Sequence, residues 1–446
     1  MRGMAVIPSL DVVFSWNNTA LGDMDASSGP LNTAFRLVRE SVITEPMPGQ
    51  IIADPAHPAF LVRNEDKNKD GTLDPFFMCG PGDPEGFLYR GARRDDGTRD
   101  GDQDAIIEKL KGTGANCLYM AAVRSHGGDG DATHNPFVDS DPEKGLDENI
   151  LQQWGSWFTR LDENGIVVFF IFYDDSARLW NTGDAMGPEE QAFLDQIVRR
   201  FEHHKHWIWC VAEEYGEAFS ATRAGNIASV IHNADKHRHV ISIHSNESLA
   251  FDEFADNPNI NQFAVQYNVK TADELHEGSV TAWETAKGRY NITLSEATGF
   301  GFGPAAREKF WACAMAGAYG MALDWCFDQP DAPSAEDLKA CGHLVRFFES
   351  TNFTEMSPHD RLRAAGTRYV LAVPGDSYIA YASAPGKPVG LKNMSGGTYS
   401  LRWFDPLSGR SHLQDSVQVS PGEQHWDRPP GFGNEVALYL RHVPGN

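Results

Sequence analysis

Two glutamates stand where carboxyl chemistry is available. Glu214 follows the apolar run Trp207-Ile208-Trp209-Cys210-Val211-Ala212, and Glu296 closes the run Ile292-Thr293-Leu294-Ser295. Two carboxyl groups facing each other across a sugar are what cleavage of a glycosidic bond requires. One protonates the leaving oxygen; the other attacks the anomeric carbon or activates water. The two roles need different pKa values, so the surroundings must raise one of them. A single glutamate at a strand end reads most simply as a solvated carboxylate. Two of them, with further polar residues at the ends of neighbouring apolar runs, read as a site. Glu214 and Glu296 are therefore the candidate catalytic pair. Asp83, Arg124, His126, Asp174, Glu213, His244, Tyr267 and Trp325 are the candidate substrate-binding residues.

Glu213 and Glu214 compete for the catalytic position. Alternation along a strand puts Glu214 with the smaller Ala212 and Cys210. It puts Glu213 with Val211, Trp209 and Trp207, which suit a layer facing helices. Glu214 is the better reading, although strand ends often bulge and break alternation.

The elements that must position these residues alternate along the chain. Apolar runs at 75–80, 115–123, 166–173, 207–213, 240–244, 263–267, 292–296 and 321–326 read as strands buried on both faces. Helical patterns lie between them at 104–111, 149–164, 188–204, 221–235, 272–287 and 304–318, and after the last at 335–349. Pro188 with Glu189 and Glu190 is a favourable helix start. The segment after the fifth strand, 249–255, is short. Eight strand–helix units over this span predict an α/β fold, a (β/α)₈ barrel, whose active site lies at the C-terminal strand ends. A doubly wound sheet is the alternative, but no Gly-rich phosphate loop accompanies it. After Asn352 short strands separated by Pro-, Gly- and Asp-rich turns predict an antiparallel β-sandwich. The predicted organisation is an N-terminal strap over 1–55, a barrel over 56–352 and a sandwich over 353–446. Long loops at 80–102, 125–148 and 173–187 would form the walls of the site.

Other chemistries find less support. There is no GxSxG elbow for a serine esterase and no HxH after the first strand for a metal-dependent amidohydrolase. His203-His204-Lys205-His206 precedes the fourth strand, so it belongs to the bottom face and reads as a solvated helix end. Residues 66–74, Asp66-Lys67-Asn68-Lys69-Asp70-Gly71-Thr72-Leu73-Asp74, match the first nine positions of a calcium loop. Phe77 stands at position 12, where the bidentate glutamate belongs. A structural Ca²⁺ on Asp66, Asn68, Asp70 and Asp74 is one expectation; a plain polar turn is the other. No cofactor is expected for catalysis.

The chain has 446 residues and a formal net charge of −24. That charge argues against nucleic acid or an anionic membrane as partner and leaves a neutral carbohydrate open. The 11 Trp, 12 Tyr and 26 Phe could stack on sugar faces, but core packing accounts for them equally well. The six cysteines are scattered without a CxxC pair and read as buried free thiols. No apolar run is long enough to span a membrane. Residues 1–16 lack a signal-peptide core and cleavage site. The expectation is a cytoplasmic protein, or a secreted or periplasmic one if a leader has been removed.

Taken together, the fourth- and seventh-strand glutamates, Tyr267 on the sixth strand and Trp325 on the eighth resemble clan A glycoside hydrolases. Within that clan, Pro75-Phe76-Phe77-Met78-Cys79-Gly80 resembles the first strand of the apiosidase-like DUF4038 group. The segment Tyr399-Ser400-Leu401-Arg402-Trp403-Phe404-Asp405-Pro406 resembles the C-terminal "collagen-binding" sandwich module attached to such barrels. The resemblance covers about residues 56–446. It implies a retaining mechanism on a poly- or oligosaccharide, with Glu214 as acid/base and Glu296 as nucleophile. It further implies that Tyr267 hydrogen-bonds Glu296 and that Trp325 floors the subsite. Arg124 and His126 would orient the nucleophile or bind sugar hydroxyls. Many clan members have Asn before the acid/base; here Glu213 stands there. That departure motivates the alternative expectation, a carbohydrate-binding protein on the same barrel that has lost catalysis.

Overall fold

The computed structural model describes the backbone of residues 2–7 and 12–17, and residues 45–83, 86–125, 128, 130–246, 249, 251–297, 299–325 and 333–444. Met1–Glu45 and Pro46–Asn446 form separate compact units. In the first, Arg2–Ile7 pairs antiparallel with Val12–Asn17. Of the expected strap, residues 46–55 belong to the second unit.

The second unit is built on eight parallel strands. They are Cys79–Pro81, Cys117–Ala121, Val167–Ile171, Trp207–Cys210, Val240–Ser245, Gln262–Gln266, Asn291–Glu296 and Tyr319–Leu323. Ladders join each strand to the next from the second to the eighth, and the eighth to the first. Asn116 closes the remaining gap. Its N–H donates to Cys79 O at 3.0 Å. Its side chain accepts from Cys79 N–H at 2.9 Å and donates to Phe77 O at 2.8 Å. Every residue of the second, third and fourth strands is buried, as a sheet covered on both faces demands. The eighth strand begins two residues before the apolar run that predicts it, and Cys326 lies outside the described residues.

Seven helices wrap these strands among the described residues: Gln103–Leu110, Glu148–Glu163, Pro188–Phe201, Ala221–Ala234, Ala272–Ala286, Gly303–Met315 and Ala335–Glu349. Their starts follow local chemistry. Thr271 with Glu274, and Ser334 with Asp337, form reciprocal capping boxes. Trp207 turns outward onto Phe158 of the second helix at 5.1 Å, and Trp209 stacks on Phe172 at 5.6 Å.

A three-stranded antiparallel sheet, Ile51–Ala53, Leu61–Arg63 and Pro75–Phe76, covers the N-terminal end of the barrel. Ile51 N–H donates to Lys205 O at 3.0 Å, and Leu61 N–H donates to the Tyr319 hydroxyl at 2.8 Å. The histidine tract lies at this end too and is solvated only in part: His203 and Lys205 are exposed, the other two are not. His204 is buried, and Asp162 Oδ1 sits 2.9 Å from His206 Nδ1 while accepting the His206 N–H. The bottom face is thus a packed seal. Cys79, Cys117, Cys210, Cys313 and Cys341 are buried free thiols.

The C-terminal segment forms a six-stranded and a three-stranded antiparallel sheet. Trp403, Leu401, Leu438 and Val370 of one sheet share a core with Val389 and Leu391 of the other, which makes a sandwich. It is joined to the barrel by aromatic contacts. Tyr381 stacks on Trp311 at 5.0 Å, Phe404 lies 4.9 Å from Phe347, and Tyr369 stacks on His276 at 3.9 Å. Trp311 and Phe347 are fully covered as a result. Deleting residues 355–446 exposes this aromatic face, and the expected product is insoluble. A soluble, monodisperse barrel on size-exclusion chromatography would contradict this.

Candidate active site

The fourth strand stops pairing regularly at Cys210. Beyond it Glu214 takes φ 39° and ψ 48°, the left-handed region, before a short 3₁₀ turn at Tyr215–Glu217. A glutamate there costs on the order of 1–2 kcal/mol. The turn breaks the two-residue alternation, so Glu213 does not join the helix-facing layer that alternation assigns it. Its Oε1 accepts from the Tyr119 hydroxyl at 2.6 Å. Glu214 directs its N–H across to the fifth strand, donating to His244 Nδ1 at 2.9 Å. Its Oε2 accepts from Asn246 Nδ2 at 2.9 Å.

Glu296 ends the seventh strand. The sixth strand carries a register shift between Val265 and Gln266, which sets Gln266 opposite Glu296. Gln266 Nε2 donates to Glu296 Oε1 at 2.7 Å. This corrects the expectation for Tyr267. Only its N–H reaches Glu296, donating to the main-chain O at 3.1 Å. The Tyr267 ring lies outward over Gly278, where a Cβ would fall 2.8 Å from the hydroxyl. His244 Nε2 lies 3.9 Å from the other Glu296 oxygen. His244, expected among the substrate-binding residues, is buried and lies against both glutamates.

Arg124 lies between two carboxylates. It pairs with Asp83, and its Nε lies 3.1 Å from Asp174 Oδ2. Asp83 also accepts the Gly86 N–H at 2.8 Å. All three side chains are buried, so Asp83, Arg124 and Asp174 act first as a structural cluster under the rim. Asp83, Tyr119, Glu296, Asp324 and Trp325 line a cleft of roughly 290 Å³. Trp325 therefore reaches the site, with the Lys109 ammonium 5.0 Å from its ring. His126 lies outside the described residues. Tyr119, Gln266 and Asn246 contact the two glutamates and Glu213 without having been singled out by the sequence.

Electrostatics separates the carboxyl groups. Burial, then Glu217 and Glu296, push Glu214 up to about 8. Burial, then the hydrogen-bonded Asp174 carboxyl, push Glu213 well above the carboxylate range. Burial opposes the Arg124 charge, but Asp83 and Asp174 outweigh it and raise its pKa. Burial pushes His244 down to about 3, so the ring is neutral. At pH 7 Glu214 thus keeps its proton beside Glu296.

Oxygens of Asp174, Asp175 and Glu213 converge within 4.8 Å, as do those of Asp175, Glu214 and Glu217. These are the described carboxyl groups best placed to share a cation. In the calcium-like loop, Asp66 accepts the N–H groups of Asp70 and Gly71, and Asp70 accepts Thr72. Asn68 accepts the Asp70 N–H, and Asp74 accepts the Lys67 N–H. The turn satisfies these oxygens from its own main chain.

No family model matches the chain, and no curated protein matches it in sequence. Solved structures do share the fold. A glycoside hydrolase family 5 structure from Bacteroides vulgatus ATCC 8482 aligns over 89% of this chain and 94% of its own, with a TM-score of 0.66 and 12% identity. A structure named "Glycoside hydrolase" aligns over 90% and 99%, with a TM-score of 0.64 and 13% identity. The shared span exceeds what the barrel alone supplies. At these identities the likeness establishes the fold.

Arg124→Gln leaves Asp83 and Asp174 buried without their cation. The expected loss is about 3–5 kcal/mol of unfolding free energy by chemical denaturation. A change below about 1 kcal/mol would mean the cluster is not the support described here.

Proposed function

We propose that the protein is a retaining glycoside hydrolase, with Glu214 as general acid/base and Glu296 as nucleophile. The observation that carries this reading is geometric: Glu214 and Glu296 stand at the ends of the fourth and seventh strands on either side of His244, whose Nδ1 accepts the Glu214 N–H at 2.9 Å and whose Nε2 lies 3.9 Å from Glu296 Oε2. Glu214 is held protonated at neutral pH, while Glu296 receives an amide donor on Oε1 and faces an imidazole N–H from Oε2. Both stand at the C-terminal ends of barrel strands, where this fold builds its sites. The solved structures that share the fold include proteins named as glycoside hydrolases, which supports the same activity here.

The chemistry follows from that arrangement. A glycoside binds in the cleft with its anomeric carbon at Glu296 and its leaving oxygen toward Glu214. Glu296 attacks as Glu214 donates its proton, giving a glycosyl ester and a free alcohol. The aglycone leaves, and Glu214, now a carboxylate, takes a proton from water. The hydroxide formed breaks the ester with net retention. Each step uses carboxyl groups of this chain. Trp325 offers an aromatic wall on the eighth-strand side of the cleft. The likeness of residues 75–80 and 399–406 to the apiosidase-like group and its sandwich module supports a barrel that degrades poly- or oligosaccharides.

Glu296→Gln abolishes turnover of aryl glycosides while leaving substrate binding, which isothermal calorimetry measures; full activity in this variant would overturn the assignment. Glu214→Gln loses about 10²–10⁴-fold on poor leaving groups and much less on activated ones. Azide restores turnover to Glu214→Ala. In the wild type kcat/KM falls above about pH 8 as Glu214 loses its proton. That alkaline limb is absent in Glu214→Gln, and its persistence there would assign the acid to another group.

A further inference from the structure

We infer that His244 is a positioning residue that ties the two catalytic carboxyl groups together: its Nδ1 holds the Glu214 main chain in the left-handed turn, and its Nε2–H faces the Glu296 carboxylate. The inference rests on reading Glu214 and Glu296 as the catalytic pair.

The proton assignment follows from one contact. A main-chain N–H can only donate, so the Glu214 N–H at 2.9 Å makes His244 Nδ1 an acceptor. Nδ1 then carries no proton, and the ring is neutral with its hydrogen on Nε2. That edge lies 3.9 Å from Glu296 Oε2. Gln266, from the next strand, donates to Oε1 at 2.7 Å. Glu296 Oε1 thus accepts from the Gln266 amide, and Oε2 faces the imidazole N–H edge at 3.9 Å, longer than a hydrogen bond. Neutral donors orient a carboxylate and favour its charged form without offering it a labile proton.

The same ring answers the strain at Glu214. In the left-handed turn its N–H leaves the fourth-strand ladder and points to the fifth strand. Without an acceptor there, a buried donor is left unsatisfied. Imidazole can accept on one edge and donate on the other; Asn reproduces only the near edge and Gln only the far one. Burial keeps the ring neutral across the working range. Among the described residues, the titratable groups facing Glu296 include Tyr119 from the second strand, Glu213 and Glu214 from the fourth, His244 itself, and Asp83 and Asp324 across the cleft. The buried Cys210 thiol also lies beside His244 and stays protonated, its pKa raised by burial.

Two readouts test this. In ¹⁵N spectra of the full-length protein, His244 is expected as the neutral Nε2–H tautomer from pH 5 to 9. In kinetics on an aryl glycoside, the acid limb of kcat/KM reports Glu296. In His244→Asn it moves up, because the imidazole N–H edge that faces the carboxylate is lost. KM changes little. His244→Gln keeps the acid limb near wild type and lowers kcat, since the Glu214 turn loses its acceptor. An Nδ1–H tautomer or an imidazolium at pH 6–8 would overturn the inference. So would an unmoved acid limb in a His244→Asn protein of wild-type Tm. The spectra need no turnover, so the two readings fail separately. A wild type that hydrolyses no glycoside yet shows the Nε2–H tautomer overturns the proposed function and leaves the His244 bridge; an active enzyme with the wrong tautomer does the reverse.

Discussion

Carboxyl groups crowd the mouth of this barrel beyond the number that can be ionised there together. Asp174, Asp175, Glu213, Glu214, Glu217 and Glu296 come from the ends of the third, fourth and seventh strands, and several are buried. Among the described residues, the buried guanidinium beside them, Arg124, is already held by Asp83 and Asp174. Desolvation and like-charge repulsion therefore force protons onto some of these groups. Glu213 and Glu214 take them, and the rest of the site is arranged around that outcome. An acid whose pKa is raised and a carboxylate oriented by the Gln266 amide are the two reagents of double displacement.

Backbone irregularities at two strand ends deliver this arrangement. The left-handed Glu214 swings both fourth-strand glutamates out of simple alternation. The register shift at Gln266 brings an amide, in place of the Tyr267 hydroxyl, to Glu296. Each irregularity is held by long-range contacts to another strand: Glu214 by His244 and Asn246, Glu213 by Tyr119, Glu296 by Gln266. Strain of this kind is retained where the surroundings over-determine it. The sealed bottom of the barrel and the sandwich packed on Trp311 and Phe347 supply the rigidity behind it.

The barrel was legible because its strands are near-continuous apolar runs between helical patterns; seven strands and the seven described helices fall where those patterns lie, within a few residues, while the run at 75–80 splits, Pro75–Phe76 joining the antiparallel sheet under the barrel and Cys79–Pro81 forming the first barrel strand. The polar strands Ser411–Val419 and Gly422–Trp426 were not legible, because most of their residues are exposed and carry no apolar alternation. In the site, Glu214 and Glu296 were readable from their strand-end positions. Gln266 was not, because a one-residue shift in pairing leaves no mark on residue order. Tyr119 was hidden within an apolar run, where its ring reads as core. His244 was visible as a polar strand end, but its role depends on which neighbour donates to Nδ1, a fact of three dimensions. Glu213 was visible as a departure from Asn, but its raised pKa depends on its burial and on Asp174 beside it, which residue order does not show.

The central claim is that Glu296 forms a covalent bond to the sugar while Glu214 serves proton transfer. The most direct measurement is intact-protein and peptide mass spectrometry after incubation with a panel of 2,4-dinitrophenyl 2-deoxy-2-fluoroglycosides. Such probes arrest a retaining enzyme at its glycosyl ester. The account predicts one added fluoroglycosyl mass, carried by the peptide containing Glu296 and absent in Glu296→Gln. An adduct on Glu213, Glu214 or Asp174, or hydrolysis of a related substrate with inverted anomeric configuration, would contradict it.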